Sequence, residues 1–149
     1  MPTIVSEVVV EAPLEEVYAL ARDIERFPQF MEDVAEVTIL EQTPERQVSR
    51  WVGLIKELRR KIIWTEEDFW NDREHTCAFR QTEGDFTEYG GRWEFAAEGE
   101  WTRVRLQVDY EYNVPLVGAL IQNLLKKKMQ ANTDAMLAAI KGEAEGEGN

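Results

Sequence analysis

Lys128 and Asn132 lie one helical turn apart in a run whose same-side neighbours, Val117, Ile121, Leu124, Leu125, Ala135, Met136 and Ala139, are apolar. At 100° per residue both fall near the middle of that arc. A lysine buried there must be paired or shed its proton, and a buried amide must be hydrogen-bonded. Two readings follow. In one, Lys128 carries its ammonium out to water along its own stem while Asn132 ties a strand carbonyl. In the other, the face borders a cavity with Lys128 and Asn132 as polar anchors, and Met129 and Met136 form a pliable wall. Arg60 and Trp64 share one side of a strand-like stretch with Ile62 and Glu66. There the guanidinium caps the polar end of a ligand or makes a surface cation–π pair. Tyr89, Trp93 and Phe95 share a side of another stretch, and Gly91 between them leaves room for a bulky neighbour, a bulge or a ligand. Tyr110 and Tyr112 bring hydroxyls that need partners when buried. A few polar groups among aromatics suit a pocket for an apolar small molecule.

Other chemistry is poorly supplied. His75 is the single histidine and sits in the polar stretch Asn71-Asp72-Arg73-Glu74-His75, which reads as a solvated loop. Cys77 is the single cysteine, so no internal disulfide and no cysteine metal cluster can form. No metal site and no cofactor are expected, and no catalytic residue can be assigned from these residues.

The elements that must position the candidates are legible from periodicity. Thr3 to Glu11 alternates and is rich in valine, with Ile4, Ser6, Val8 and Val10 on one side. Ala12-Pro13 stops this strand and opens a helix that Glu15 and Glu16 favour at its positive end. Arg26 to Met31 breaks that helix into a further short turn. Two-residue alternation then predicts six strands over 34–42, 46–55, 57–70, 75–83, 86–97 and 101–112. In the last of them Val104, Leu106, Val108, Tyr110 and Tyr112 oppose Arg103, Arg105, Gln107, Asp109 and Glu111, as in an antiparallel sheet with one wet face. Pro115 opens a long helix to Lys141, and Gly142 to Asn149 reads as a flexible acidic tail. The expectation is one α+β domain over 1–141.

Charge narrows the partners. The 149 residues carry 17 Lys+Arg against 29 Asp+Glu, a net charge of −12, with 10% aromatics. Nucleic acid and anionic membrane surfaces repel such a chain. The longest apolar run, Val114 to Ile121, is far too short to span a bilayer. No signal peptide is legible at Met1 to Val10. A cytoplasmic protein, monomeric or homodimeric, is expected.

Several segments resemble one family. Val8-Val9-Val10-Glu11-Ala12-Pro13-Leu14-Glu15-Glu16-Val17-Tyr18 resembles the strand-to-helix opening of the START-like polyketide cyclase/dehydrase and lipid-transport superfamily. Asp23 to Phe30 is similar to its D-x-E-x-(F/Y)-P-x-F helix break. Glu83-Gly84-Asp85-Phe86, Gly91-Arg92-Trp93-Glu94-Phe95 and Thr102-Arg103-Val104 are similar to its strand motifs, and Val114-Pro115-Leu116 before a long helix resembles its C-terminal end. The resemblance covers about residues 3–141. It implies the helix-grip (START/Bet v 1-like) fold, a seven-stranded curved antiparallel sheet wrapped around a long C-terminal helix with an internal hydrophobic cavity.

Three functions follow as expectations. The first is binding of a lipid, isoprenoid quinone or polyketide-like aromatic, with Arg60, Trp64, Tyr89, Trp93, Tyr110, Lys128, Asn132 and Met136 as candidate ligand contacts. The second is a polyketide aromatase/cyclase or dehydratase, with Arg60 as the positional match to a cavity arginine of such enzymes. The third is a protein-binding role like that of a ribosome-association toxin, which fits poorly with so acidic a chain.

Overall fold

The computed structural model describes residues 2–56, 59–112 and 119–146. Strand β1 (Thr3–Val10) runs into α1 (Leu14–Arg22), a 3₁₀ turn (Ile24–Arg26) and the short α2 (Phe27–Phe30). Strands β2 (Val34–Gln42), β3 (Arg46–Ile55), β4 (Arg60–Asn71), β5 (Thr76–Gly84), β6 (Glu88–Glu98) and β7 (Trp101–Glu111) follow, then α3 (Ala119–Ala144). Pro13, extended at φ −64° and ψ 149°, ends β1 and caps α1, whose first turn carries Glu15 and Glu16 and whose last carries Arg22. These charges oppose the partial charges of the helix ends.

The seven strands form one antiparallel sheet in the order β1-β7-β6-β5-β4-β3-β2. It is the curved sheet and long C-terminal helix of the helix-grip fold. Consecutive strands β2 to β7 each pair with the next, whereas β1 pairs with β7 at the far end, Thr3 opposite Asp109. Irregular register between Ile39 and Glu41 of β2, and between Thr65 and Glu66 of β4, interrupts the ladders. Such interruptions bend and twist a sheet.

Helix α3 lies against the sheet, fastened by polar ties as well as apolar ones. Gln130 donates to the Val5 carbonyl (3.1 Å), Lys141 to the Val9 carbonyl (3.0 Å) and Gln122 to the Tyr112 carbonyl (2.9 Å). Its buried residues are Leu125, Thr133, Leu137 and Ile140. The apolar arc expected from residue identity is therefore rotated: Leu125 is buried and Met136 half-buried, but Ile121 and Ala135 face water. Thr133 enters the buried stripe because its hydroxyl is already satisfied by the Met129 carbonyl (2.7 Å). Val117 and the expected start at Pro115 lie outside the described residues. At the other end the helix passes Lys141 and continues to Ala144, and Lys141 pairs with Glu145 (2.6 Å).

His75 differs from the solvated residue expected. Asn71 accepts the backbone N–H groups of Arg73 and Glu74, closing the β4–β5 turn, and His75 takes a left-handed φ of 56°. Its ring packs edge-on against Tyr18 (4.8 Å) and its Nε2 meets Glu15 at 2.6 Å. The loop composition was polar, but α1 passes above it and covers the ring.

Candidate functional site

Alternate residues of the strands point toward α3 and leave a cavity of about 90 Å³ between sheet and helix. A water occupies about 10–15 Å³ on that measure, so there is space for a small organic molecule. Aromatic rings form most of the wall. Trp51 stacks on Trp64 (5.8 Å, 6°), Tyr89 leans on Trp64 (5.0 Å), and Phe86 stacks on Tyr89 (4.5 Å). Gly53 gives the Trp64 ring its seat, since a Cβ there would stand 3.3 Å from it.

Phe86 reaches the cavity because its loop is clamped. Asp85 accepts the Ile63 N–H (2.8 Å) and donates its own N–H to the Ile63 carbonyl (2.9 Å). The Gln81 amide takes both ends of the Phe86 residue, donating to its carbonyl and accepting its N–H. Gly84 is required here: its φ is +150° and a Cβ would lie 2.5 Å from the Trp64 Cα.

Two carboxyl groups lie in this apolar setting. Glu66 is 4% exposed and lines the cavity, and Asp68 is 3% exposed behind it. The Trp64 indole donates to Glu66 Oε1 (2.7 Å), the Ser49 hydroxyl donates to Asp68 Oδ2 (2.7 Å), and the Trp51 indole donates to Ser49 Oγ (2.9 Å). Burial pushes the Glu66 carboxyl well above the usual range, and the neighbouring Asp68 pushes it further. Burial also raises Asp68, against hydrogen bonds from Glu66 and Ser49 that lower it. Two carboxyls this deeply buried side by side do not both ionise freely, and Glu66 is the one pushed further toward keeping its proton. Burial and these carboxyls also push the Tyr89 phenol well up. Among the described residues lining the cavity none is a lysine, arginine or histidine.

Ser49 is the hinge of that network, so Ser49→Ala leaves an indole N–H and a carboxylate oxygen unsatisfied inside the protein. The expected cost is about 1–3 kcal/mol, read as a lower urea midpoint with unchanged slope; an unchanged midpoint would show that water replaces the hydroxyl.

The candidates from sequence divide. Trp64, Tyr89, Trp93, Asn132 and Met136 line the cavity together. Asn132 also ties β3, donating to the Leu54 carbonyl (2.9 Å). Arg60 stands exposed at the start of β4 and donates to the Tyr112 hydroxyl (2.7 Å). Tyr110 is 1% exposed beside Phe86, outside the lining, and its hydroxyl has no hydrogen-bond partner among the described residues. Lys128 is half-buried on α3 and is not among the lining residues. Glu66, placed on the side of Arg60, Ile62 and Trp64, was given no role, and Asp68 was not among the candidates. The signal was parity: both share the side of Ile62, Trp64 and Trp70, whereas Glu67 faces outward to Arg46 (2.8 Å) and Arg80 (2.9 Å).

The family profile described as polyketide cyclase/dehydrase and lipid transport matches residues 10–137. The chain belongs to this family. Within it, the chain is 28% identical over 138 residues to the actinorhodin polyketide synthase bifunctional cyclase/dehydratase of Streptomyces coelicolor, covering 91% of this chain and 42% of that protein. The chain therefore spans less than half the length of that relative. It is 26% identical over 138 residues to the ribosome association toxin RatA of Escherichia coli, covering 89% of this chain and 85% of the toxin. Among solved structures, TTHA0849 from Thermus thermophilus superposes with a TM-score of 0.92 at 34% identity, covering 99% of this chain and all of the other. The Zhui aromatase/cyclase from a Streptomyces shares the fold at a TM-score of 0.88 and 22% identity, over 97% of this chain and 93% of that one. Among the described residues no helix is long and apolar enough to cross a membrane, and no group of three or more His, Cys, Asp or Glu could hold a metal ion.

Proposed function

We propose that this member of the polyketide cyclase/dehydrase and lipid transport family binds a hydrophobic or amphipathic small molecule between its sheet and α3. The observation that carries the reading is the aromatic-walled cavity under α3, with few polar groups in its lining. Trp64, Tyr89, Trp93 and Met136 supply apolar contact, and Asn132 and Glu66 supply polar contact. Arg60 and Lys128, outside that lining, would act at its approach. Apolar area removed from water supplies most of the affinity.

Native mass spectrometry of freshly purified protein, before and after organic-solvent extraction, tests this. The expected result is a mass excess that disappears on extraction, or a defined adduct when the extracted protein meets a panel of lipids, quinones and fused aromatics. A protein that takes up nothing from such a panel would end the reading.

A second reading, cyclisation or dehydration of a polyketone, is supported by the Glu66–Asp68 pair. A carboxyl that keeps its proton in a water-poor site is the equipment for acid–base catalysis at a carbonyl. The curated relative named as a cyclase/dehydratase points the same way.

A further inference from the structure

The carboxyl pair has a property that apolar binding alone does not use. Glu66 and Asp68 bring four carboxyl oxygens into the interior, where burial favours keeping a proton on the pair, on Glu66 above all. The Trp64 and Ser49 donors occupy two oxygens. What remains is a surplus of acceptors and negative charge with no counter-ion: neither carboxyl makes an ion pair among the described residues. A buried carboxylate without a cation is costly to the protein that keeps it. The rings beside it, Trp64, Trp51 and Tyr89, present the electron-rich faces that attract organic cations. Among the described residues, no neighbouring element supplies a positive charge to the lining. The titratable groups that interact with the pair from neighbouring strands are Tyr89 of β6 and Cys77 of β5, both uncharged when protonated. Helix α3 presents Met129, Asn132, Thr133 and Met136, none of them titratable.

We infer that the ligand of this cavity is a cationic amphiphile, a flat apolar body carrying a protonated amine that Glu66 of the pair receives beside the Trp64 and Tyr89 rings. This rests on the cavity-binding reading above and narrows it to a ligand class. On binding, the ammonium donates its hydrogen bonds to Glu66, the carboxyl of the pair that lines the cavity, with the charge of Asp68 behind it, and a proton that the pair held leaves for the solvent. The ligand keeps its own proton, so the net exchange is one cation bound and one proton released. Anions of the same size are rejected, because their carboxylate would face two others with no cation between.

Three probes of one size separate charge from shape: 2-naphthylmethylamine, protonated at neutral pH, 2-naphthylmethanol and 2-naphthoate. Isothermal titration calorimetry at pH 7 is expected to show the amine binding at least tenfold tighter than the alcohol and at least a hundredfold tighter than the naphthoate. Repeating the amine titration in phosphate and in Tris, which differ in ionisation enthalpy, is expected to show release of up to one proton. In the isosteric double variant Glu66→Gln/Asp68→Asn the amine-to-alcohol ratio is expected to fall to about one, and the proton release to vanish. The ratio is insensitive to a general loosening of the pocket, and the two-buffer measurement needs only the unaltered protein. Equal or tighter binding of the alcohol or the naphthoate overturns the inference, as does a ratio that survives the double substitution. If all three probes fail while the lipid and quinone panel yields an adduct, the cation assignment falls and the cavity reading stands; if the panel fails as well, both fall.

Discussion

Gly91→Ala is expected to destabilise the protein by at least about 3 kcal/mol, at or beyond the upper end for overpacked cores. A Cβ at this position would stand 1.9 Å from the Gln107 carbonyl oxygen of β7 and 2.9 Å from the Phe79 ring of β5. The first obstacle is backbone in a paired strand and cannot rotate away; the second is a side chain and can. Urea unfolding followed by tryptophan fluorescence should give a much lower midpoint, or no folded protein at all. Gly91→Ala/Phe79→Leu discriminates between the obstacles. If the ring were the limit, the double variant would regain most of the loss; the carbonyl predicts that it does not. An unchanged midpoint in the single variant would mean that β6 does not approach β7 as closely as described. Phe79 lines the cavity, so this glycine also sets how near one wall can come to the other.

The second large effect has the opposite sign: Glu66→Gln is expected to raise stability at neutral pH. The amide reproduces the protonated carboxyl, accepting from the Trp64 indole and donating to Asp68, but carries no proton to lose. The sign follows from linkage. The folded protein holds the Glu66 proton above its ordinary value of 4.5, whereas the unfolded chain releases it there. Between that pH and the folded value the folded state binds more protons, so stability falls as pH rises, by about 1.4 kcal/mol per pH unit per proton. The raised Asp68 carboxyl adds in the same direction. The substitution should gain stability at pH 7 and almost none at pH 4. Subtracting the variant's pH profile from the parent's removes the other groups, including Glu67, held low by Arg46 and Arg80, and Asp72, held low first by the Tyr18 hydroxyl and then by Arg22, whose contributions are lost toward acid. A difference that is flat from pH 4 to 8 would show that Glu66 titrates as an ordinary surface carboxyl.

Most strand positions were legible because turn residues punctuate β2 to β7 and alternation runs through them, most cleanly in β7. The boundaries expected at 34–42 and 46–55 coincide with β2 and β3. The parity that puts Glu66 on the side of Ile62 and Trp64 puts Asp68 there too, and that side is the buried one; neither carboxyl was assigned to the site because charge usually means solvent. Helix α3 was harder. Its rotation is set by ties to β1 and β3 rather than by a clean apolar stripe, so Thr133 is buried while Ile121 is not. Lys128 stood out in the sequence as a polar residue among apolar ones, yet the polar groups that reach the cavity from α3 are Asn132 and Thr133. Gly91 was recognised as space left for something. That the something is a backbone carbonyl and the Phe79 ring depends on strand pairing across β5, β6 and β7, which no local pattern encodes.

The strand order has a consequence for how the chain is made. Strands β2 to β7 find their partners as they are synthesised, each pairing back on the one before, but β1 waits for β7, about a hundred residues later. At 5–20 residues per second that interval lasts roughly 5–20 s. Throughout it a valine-rich segment of high β propensity has nothing of its own chain to join. Ser6 and Glu7 interrupt its β-branched residues, and in the finished sheet Glu7 faces outward toward Arg103. A charge there makes pairing with a second nascent chain less favourable. The glutamate that decorates an edge strand in the folded protein is thus also a guard on the unfinished one.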